Sequence, residues 1–164
     1  MKFFMKEEMR DLIISMLAVA MMFAFPNFQE LFIAYLVVVI FTFFFRVMGH
    51  KILAKRLGCM ATFKMWPVGI LLGLASMFLK SIGGFIFIAP SFIEIMPYRF
   101  GRWGIKVIRL TPRDLGKISL AGVGINILFA IFFKFFPGEI FQMLSNVNGY
   151  VALFSLLPIT SGWS

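Results

Sequence analysis

The chain has 164 residues and a formal net charge of +9; 61% of its residues are hydrophobic, 14% are charged and 23 are phenylalanine. A soluble domain is nearer half apolar and a quarter charged. A core this small cannot hide that much apolar surface, so the composition calls for a bilayer and excludes an ordinary soluble domain. The positive charge does not point to nucleic acid, because the cations gather in two short groups between apolar runs. Arg46, Lys51, Lys55, Arg56 and Lys64 form one group, and Arg99, Arg102, Lys106, Arg109, Arg113 and Lys117 the other. Such basic connections are typical of cytoplasmic loops beside membrane spans.

Taken in chain order, the N-terminal MKFFMKEEMRD mixes acids with bases and lacks a small-residue cleavage site. The first apolar run, 12–25, is therefore expected to be retained rather than removed as a signal. Pro26-Asn27 breaks it from a second run, 31–45, rich in phenylalanine. That run leads into RVMGHKILAKRLG, which carries the chain's single histidine, His50, on a continuing helix. Arg46 and His50 are four apart and share a helical face. Taken alone, His50 reads as an interfacial histidine at the end of a span. Cys59 is the only cysteine, so neither an intramolecular disulfide nor a cysteine-based zinc site is available.

The region 66–97 is apolar but interrupted by Pro67, Gly69, Gly73, Gly83, Gly84, Pro90 and Pro97. Its GGFIFIAPSFIEIMP stretch is β-branched and aromatic, and Ile86, Phe87 and Ile88 are expected to be extended. Extended backbone at membrane depth needs protein or a wet cavity to satisfy its N–H and C=O groups. A broken, re-entrant hairpin follows. Runs 118–136 and 140–159 are two further spans joined by the turn Pro137-Gly138. In the first, Gly122 and Gly124 would let another helix approach closely, and Asn126 would need a partner for its amide. In the second, Pro158 ends the span above Ser155. With both basic groups cytoplasmic, the runs cross in a consistent order. There is no repeat or low-complexity linker, so residues 1–164 read as one membrane domain. The expected class is an all-α polytopic membrane protein with a short membrane-embedded β or re-entrant segment, placed in the cell membrane of a prokaryote.

Three pieces in order, RVMGH, AGVGIN and SLLPITSGWS, resemble the motifs of the site-2 protease family of zinc-dependent intramembrane metalloproteases. The stretches WPVGILLGL and IFIAPSF resemble its archaeal branch, in which a membrane-embedded β segment follows the first zinc helix. In that family the first motif is H-E-x-x-H, the second a glycine-rich turn with an asparagine, and the third N-x-x-P followed by L-D-G, whose aspartate is the third zinc ligand. The resemblance covers roughly residues 31–164 and implies the family's core. The departures fall on the chemistry. Arg46 stands at the first histidine, Val47 at the catalytic glutamate, Ser155 at the asparagine and Trp163 at the aspartate, so Arg46, His50 and Trp163 are vestigial positions.

The resemblance therefore implies a catalytically inactive member, with no catalytic residue, zinc or other cofactor. Its cavity, around Gly122, Gly124, Asn126 and Pro158, would bind transmembrane or extended segments of other proteins, with strand addition near Ile86, Phe87 and Ile88. Membrane lipid is the other expected partner, and nucleic acid is not one. One alternative is an active zinc protease whose missing ligands come from a second subunit or from residues beyond this sequence. Another is a small transporter or channel component, suggested by the interrupted hairpin.

Overall fold

The computed structural model describes residues 5–80, 83, 84, 86–88, 91–101, 104–107 and 109–156. The chain is mostly helical. Helices α1 (Lys6–Ala24) and α2 (Phe28–Arg56) are followed by strand β1 (Met60–Met65) and helix α3 (Pro67–Lys80). Strands β2 (Ser91–Met96), β3 (Tyr98–Gly101) and β4 (Gly104–Val107) come next, then helices α4 (Pro112–Lys134) and α5 (Glu139–Leu156).

Two of these helices, α2 and α4, are long and apolar enough to cross a membrane. On α2, Ile33, Val37, Ile40 and Phe44 form an exposed apolar stripe at helical spacing, and Leu120, Leu128 and Ile131 are similarly exposed on α4, with Phe135 just after it. Contiguous apolar surface of this kind needs a nonaqueous neighbour. At about 1.5 Å per residue, α2 is about 43 Å long, and the hydrocarbon core is only about 30 Å thick. The helix is thus longer than such a core is thick.

Local signals explain the helix ends. Thr111 caps α4 reciprocally with Asp114: the Asp114 N–H donates to Thr111 Oγ1 at 3.2 Å, and Thr111 N–H and Oγ1–H donate to Asp114 Oδ2. Pro112 occupies the first helical position, where no N–H is required. Gly58, with φ +80°, ends α2. The Gly58 N–H then reaches the Lys55 carbonyl, and the Cys59 N–H reaches that of Ala54. These are the two bonds of a Schellman cap. It turns the chain sharply back into β1.

Strand β1 pairs antiparallel with β2, with Phe63 opposite Ile93 and Met60 opposite Met96. The outer edge of β1 is closed by acids from α1. Glu8 Oε1 accepts the Phe63 N–H at 2.9 Å, and Asp11 Oδ2 accepts that of Met65 at 3.3 Å. Glu8 Oε2 also accepts a hydrogen bond from Lys51 Nζ at 2.8 Å, so one buried carboxylate ties α1 to both α2 and β1. Because Phe63 points its N–H outward, its partner Ile93 does too, and Ser91 and Ile95 share that alternation. No hydrogen bond meets this outer edge of β2 among the described residues.

The region 66–97 is more divided than a simple hairpin. It contains a 14-residue helix, α3, and a true strand, β2, whose partner β1 lies before the region. Ile86, Phe87 and Ile88, expected to be extended, belong to neither a helix nor a paired strand. The Phe87 N–H instead donates to Ser76 Oγ on α3 at 2.8 Å, and Ile86 and Ile88 are buried in the main core. Side-chain anchoring replaces ladder pairing there. The β3–β4 hairpin, closed by Gly101 opposite Gly104, was likewise not foreseen.

Glu8 and Lys51 are only 2% and 8% exposed. Removing one member of a buried pair strands the other charge, at a cost of about 3–5 kcal/mol. Glu8→Ala is expected to lower stability by about that much in denaturant unfolding of the detergent-solubilised protein. Glu8→Ala combined with Lys51→Met should be less destabilised than Glu8→Ala alone; equal or greater loss in the double variant would show the pair is not the constraint.

Candidate functional site

Helices α2 and α4 pack antiparallel. Phe41 and Phe45 meet Phe129 with ring centroids 5.3 and 5.2 Å apart, and Phe41 also meets Phe133. Further along, Gly49 and Gly122 face one another: a Cβ on Gly49 would lie 3.4 Å from the Gly122 Cα. A Cβ on Gly122 would collide with the His50 ring at Nε2 and come within 2.7 Å of the Arg46 carbonyl. The two helices touch almost backbone to backbone here, as small residues permit. Gly124 does not take part, since nothing lies within 4 Å of a Cβ built there. The expected seam of two glycines is therefore a Gly49–Gly122 seam, because Gly124 is turned about 200° from Gly122 around the helix.

His50 is 2% exposed, and its Nδ1 lies 2.7 Å from the Ile118 carbonyl. A carbonyl only accepts, so Nδ1 carries the proton and Nε2 holds the lone pair. That Nε2 is buried against Gly122 and has no hydrogen-bond partner. Metal-ligating histidines commonly donate the other ring N–H to a carbonyl in the same way. Here the lone pair meets α4 backbone rather than an open position.

Arg46 is also buried, at 6% exposure, and its Nε has no partner. Val47 packs in the main core with Val38, Val39 and Phe43. Asn126 on α4 is fully buried, with neither Oδ1 nor Nδ2 partnered. Sequence reasoning missed Asn148 on α5, also fully buried. Its Nδ2 donates to the Leu144 carbonyl at 2.7 Å, and its Oδ1 has no partner. The signal was present: Asn148 lies in the Val147, Val151, Ala152 stripe that α5 buries.

The register of α4 and α5 brings the two asparagines to one height. Ser145 Oγ donates to the Ala130 carbonyl, and Phe141 stacks on Phe133. One turn on, Asn126 and Asn148 are level. Asn126 lies between the Gly122 and Phe129 contacts of α2, beside the turn that carries Arg46. Arg46 and Asn126 thus sit on neighbouring turns of two packed helices. Buried polar side chains therefore recur inside an apolar bundle, with Arg46 and His50 one turn apart on α2, Asn126 on α4 and Asn148 on α5. Pro158 and Trp163 lie outside the described residues.

Comparison with known proteins adds a relative. The chain is 34% identical over 166 aligned positions to a protein of Methanocaldococcus jannaschii named "Putative zinc metalloprotease", covering 95% of this chain and 80% of the relative. The chain belongs to that protein's family. No family model matches the chain, and no solved structure does.

The family name raises the question of zinc. A hydrolytic zinc site needs three protein ligands, an open position and a base for the water. All seven acids, His50 and Cys59 lie among the described residues, and no three such side chains group closely enough to hold a metal ion. At the first-motif positions one imidazole stands beside a guanidinium, which donates no lone pair, and a valine. The residues of this chain do not fit zinc.

The helix seam yields a paired expectation. Gly122→Leu should separate α2 from α4 and cost about 1–3 kcal/mol or more through overpacking. Gly124→Ala should be neutral or stabilising by up to about 1 kcal/mol, because a helix gains from losing glycine where space is open. Thermal unfolding of both variants in detergent checks the pair; equal behaviour would contradict the close approach at Gly122.

Proposed function

We propose that this chain is a site-2-protease-like membrane protein that holds transmembrane or extended segments of other proteins without cutting them. The observation that carries the reading is the neighbouring pair Arg46 and Val47, both buried at the positions where the resemblance places a zinc ligand and the water-activating glutamate. A valine in the hydrophobic core cannot take a proton from water, and a fixed cation repels a metal ion. The Gly122 crossing, the buried Asn126 and a short sheet after the helix that bears His50 support the reading.

An extended segment would add to the outer edge of β2, where Ser91, Ile93 and Ile95 present backbone groups, rather than at Ile86, Phe87 and Ile88. Membrane lipid surrounds α2 and α4, with the basic last turn of α2 and the first turns of α4 on the cytoplasmic side. The N-terminal and C-terminal helices complete a polytopic arrangement in the cell membrane. An active protease would need metal ligands from outside this chain, and elemental analysis separates the two readings.

Zinc measured on the purified wild-type protein should be well below one ion per chain. Restoring Arg46→His, Val47→Glu and Trp163→Asp together should raise it to about one per chain, the loading of a complete three-ligand site. Stoichiometric zinc in the wild type would overturn inactivity. A folded triple variant without zinc would show that the motifs are aligned in the wrong register.

A further inference from the structure

Among the described residues, Arg46 is a buried cation without a counterion. The sequence has seven acidic side chains, and each is placed elsewhere. Glu8 pairs with Lys51, Asp11 with Arg10 and Glu94 with Lys64; Asp114 caps α4, and Glu7, Glu30 and Glu139 are exposed. Burying an isolated charge is very costly, and proteins ordinarily pair it or hydrogen-bond it fully. Yet Arg46 Nε has no hydrogen-bond partner, nor has either amide atom of Asn126, on the neighbouring turn of α4. Buried polar groups left open in this way call for a ligand.

We infer that Arg46 and Asn126 form a receptor for a carboxylate borne by the bound segment, an acidic side chain or a free C-terminus within the membrane. A carboxylate matches the donors present. The planar guanidinium offers a fork of N–H groups, and the Asn126 amide adds another. Lone-pair donors are what a metal would need, and Arg46 supplies none. The position that the resemblance gives to a cation-binding ligand thus carries the cation itself as part of the protein. Such a charge would select, among transmembrane segments, those with an acid at the matching depth. An acid alone in hydrocarbon is costly, so its affinity for Arg46 carries discrimination as well as binding.

The inference rests on the segment-binding reading, so the test has two arms, both on the full chain in lipid nanodiscs. In the first, hexanoate and the uncharged hexanamide are compared in thermal unfolding. Hexanoate should raise the melting temperature by a few degrees when it is well above its dissociation constant, and hexanamide should not. In the second, single-span polyleucine peptides with a central Asp or a central Asn are titrated by fluorescence transfer. The Asp peptide should bind about tenfold tighter or better, as expected for a charged hydrogen bond.

Arg46→Met, which removes a buried charge and is expected to fold, should abolish both differences; Asn126→Leu should reduce them. No hexanoate effect together with equal peptide affinities overturns the carboxylate site while leaving segment binding standing. A hexanoate effect with neither peptide bound sustains the site and overturns segment binding. Differences that persist in Arg46→Met overturn the assignment to Arg46.

Discussion

The Glu8 carboxylate is the contact on which the arrangement of the N-terminal half depends. It is almost fully buried, a state that disfavours a charge unless hydrogen bonds replace the lost water. Lys51 and the Phe63 N–H supply that replacement from two different elements. Satisfying one oxygen pair therefore fixes the rotation of α1 about its axis, the depth of α2 beside it, and the seat of β1. Once Lys51 is fixed, Arg46, Val47 and His50 on the same helix are fixed as well. The vestigial positions thus inherit their geometry from an acid far away in the sequence.

Different parts of this molecule were legible in the sequence to different degrees. The long apolar runs stood out because lipid-facing helices need no complementary partner to declare themselves. The Gly122 and Asn126 positions could be read from composition, since a small residue and an amide stand out inside a hydrophobic run. The acids of α1 could not, because in KEEMRD they look like solvated charges. Glu8 is distinguished only by sharing a helical face with Leu12, Ser15, Met16 and Val19, all of which are buried. Strand β1 was hidden for a related reason: the partners of its backbone are carboxylates of α1 and a strand about thirty residues on. Gly124 was misread because a glycine pair says that close approach is possible, and only the phase of the helix says which glycine is used.

Arg46 puts a fixed charge inside the bundle. A metal centre concentrates positive charge that is removable, replaceable and dependent on ligand protonation. A guanidinium in the same region is permanent, and it cannot activate water. Val47 lies in the hydrophobic core, at the position where the resemblance places the catalytic base.

The acids that seal β1 have a consequence for the edges of its sheet. A two-stranded sheet ordinarily has two open edges, and a sheet open on both sides can propagate as a ladder of chains. Here Glu8 and Asp11 occupy two of the outward N–H groups of one edge, those of Phe63 and Met65. The two edges of the sheet are thus unequal: carboxylates block β1 at Phe63 and Met65, while the N–H groups of Ser91, Ile93 and Ile95 point away from β1.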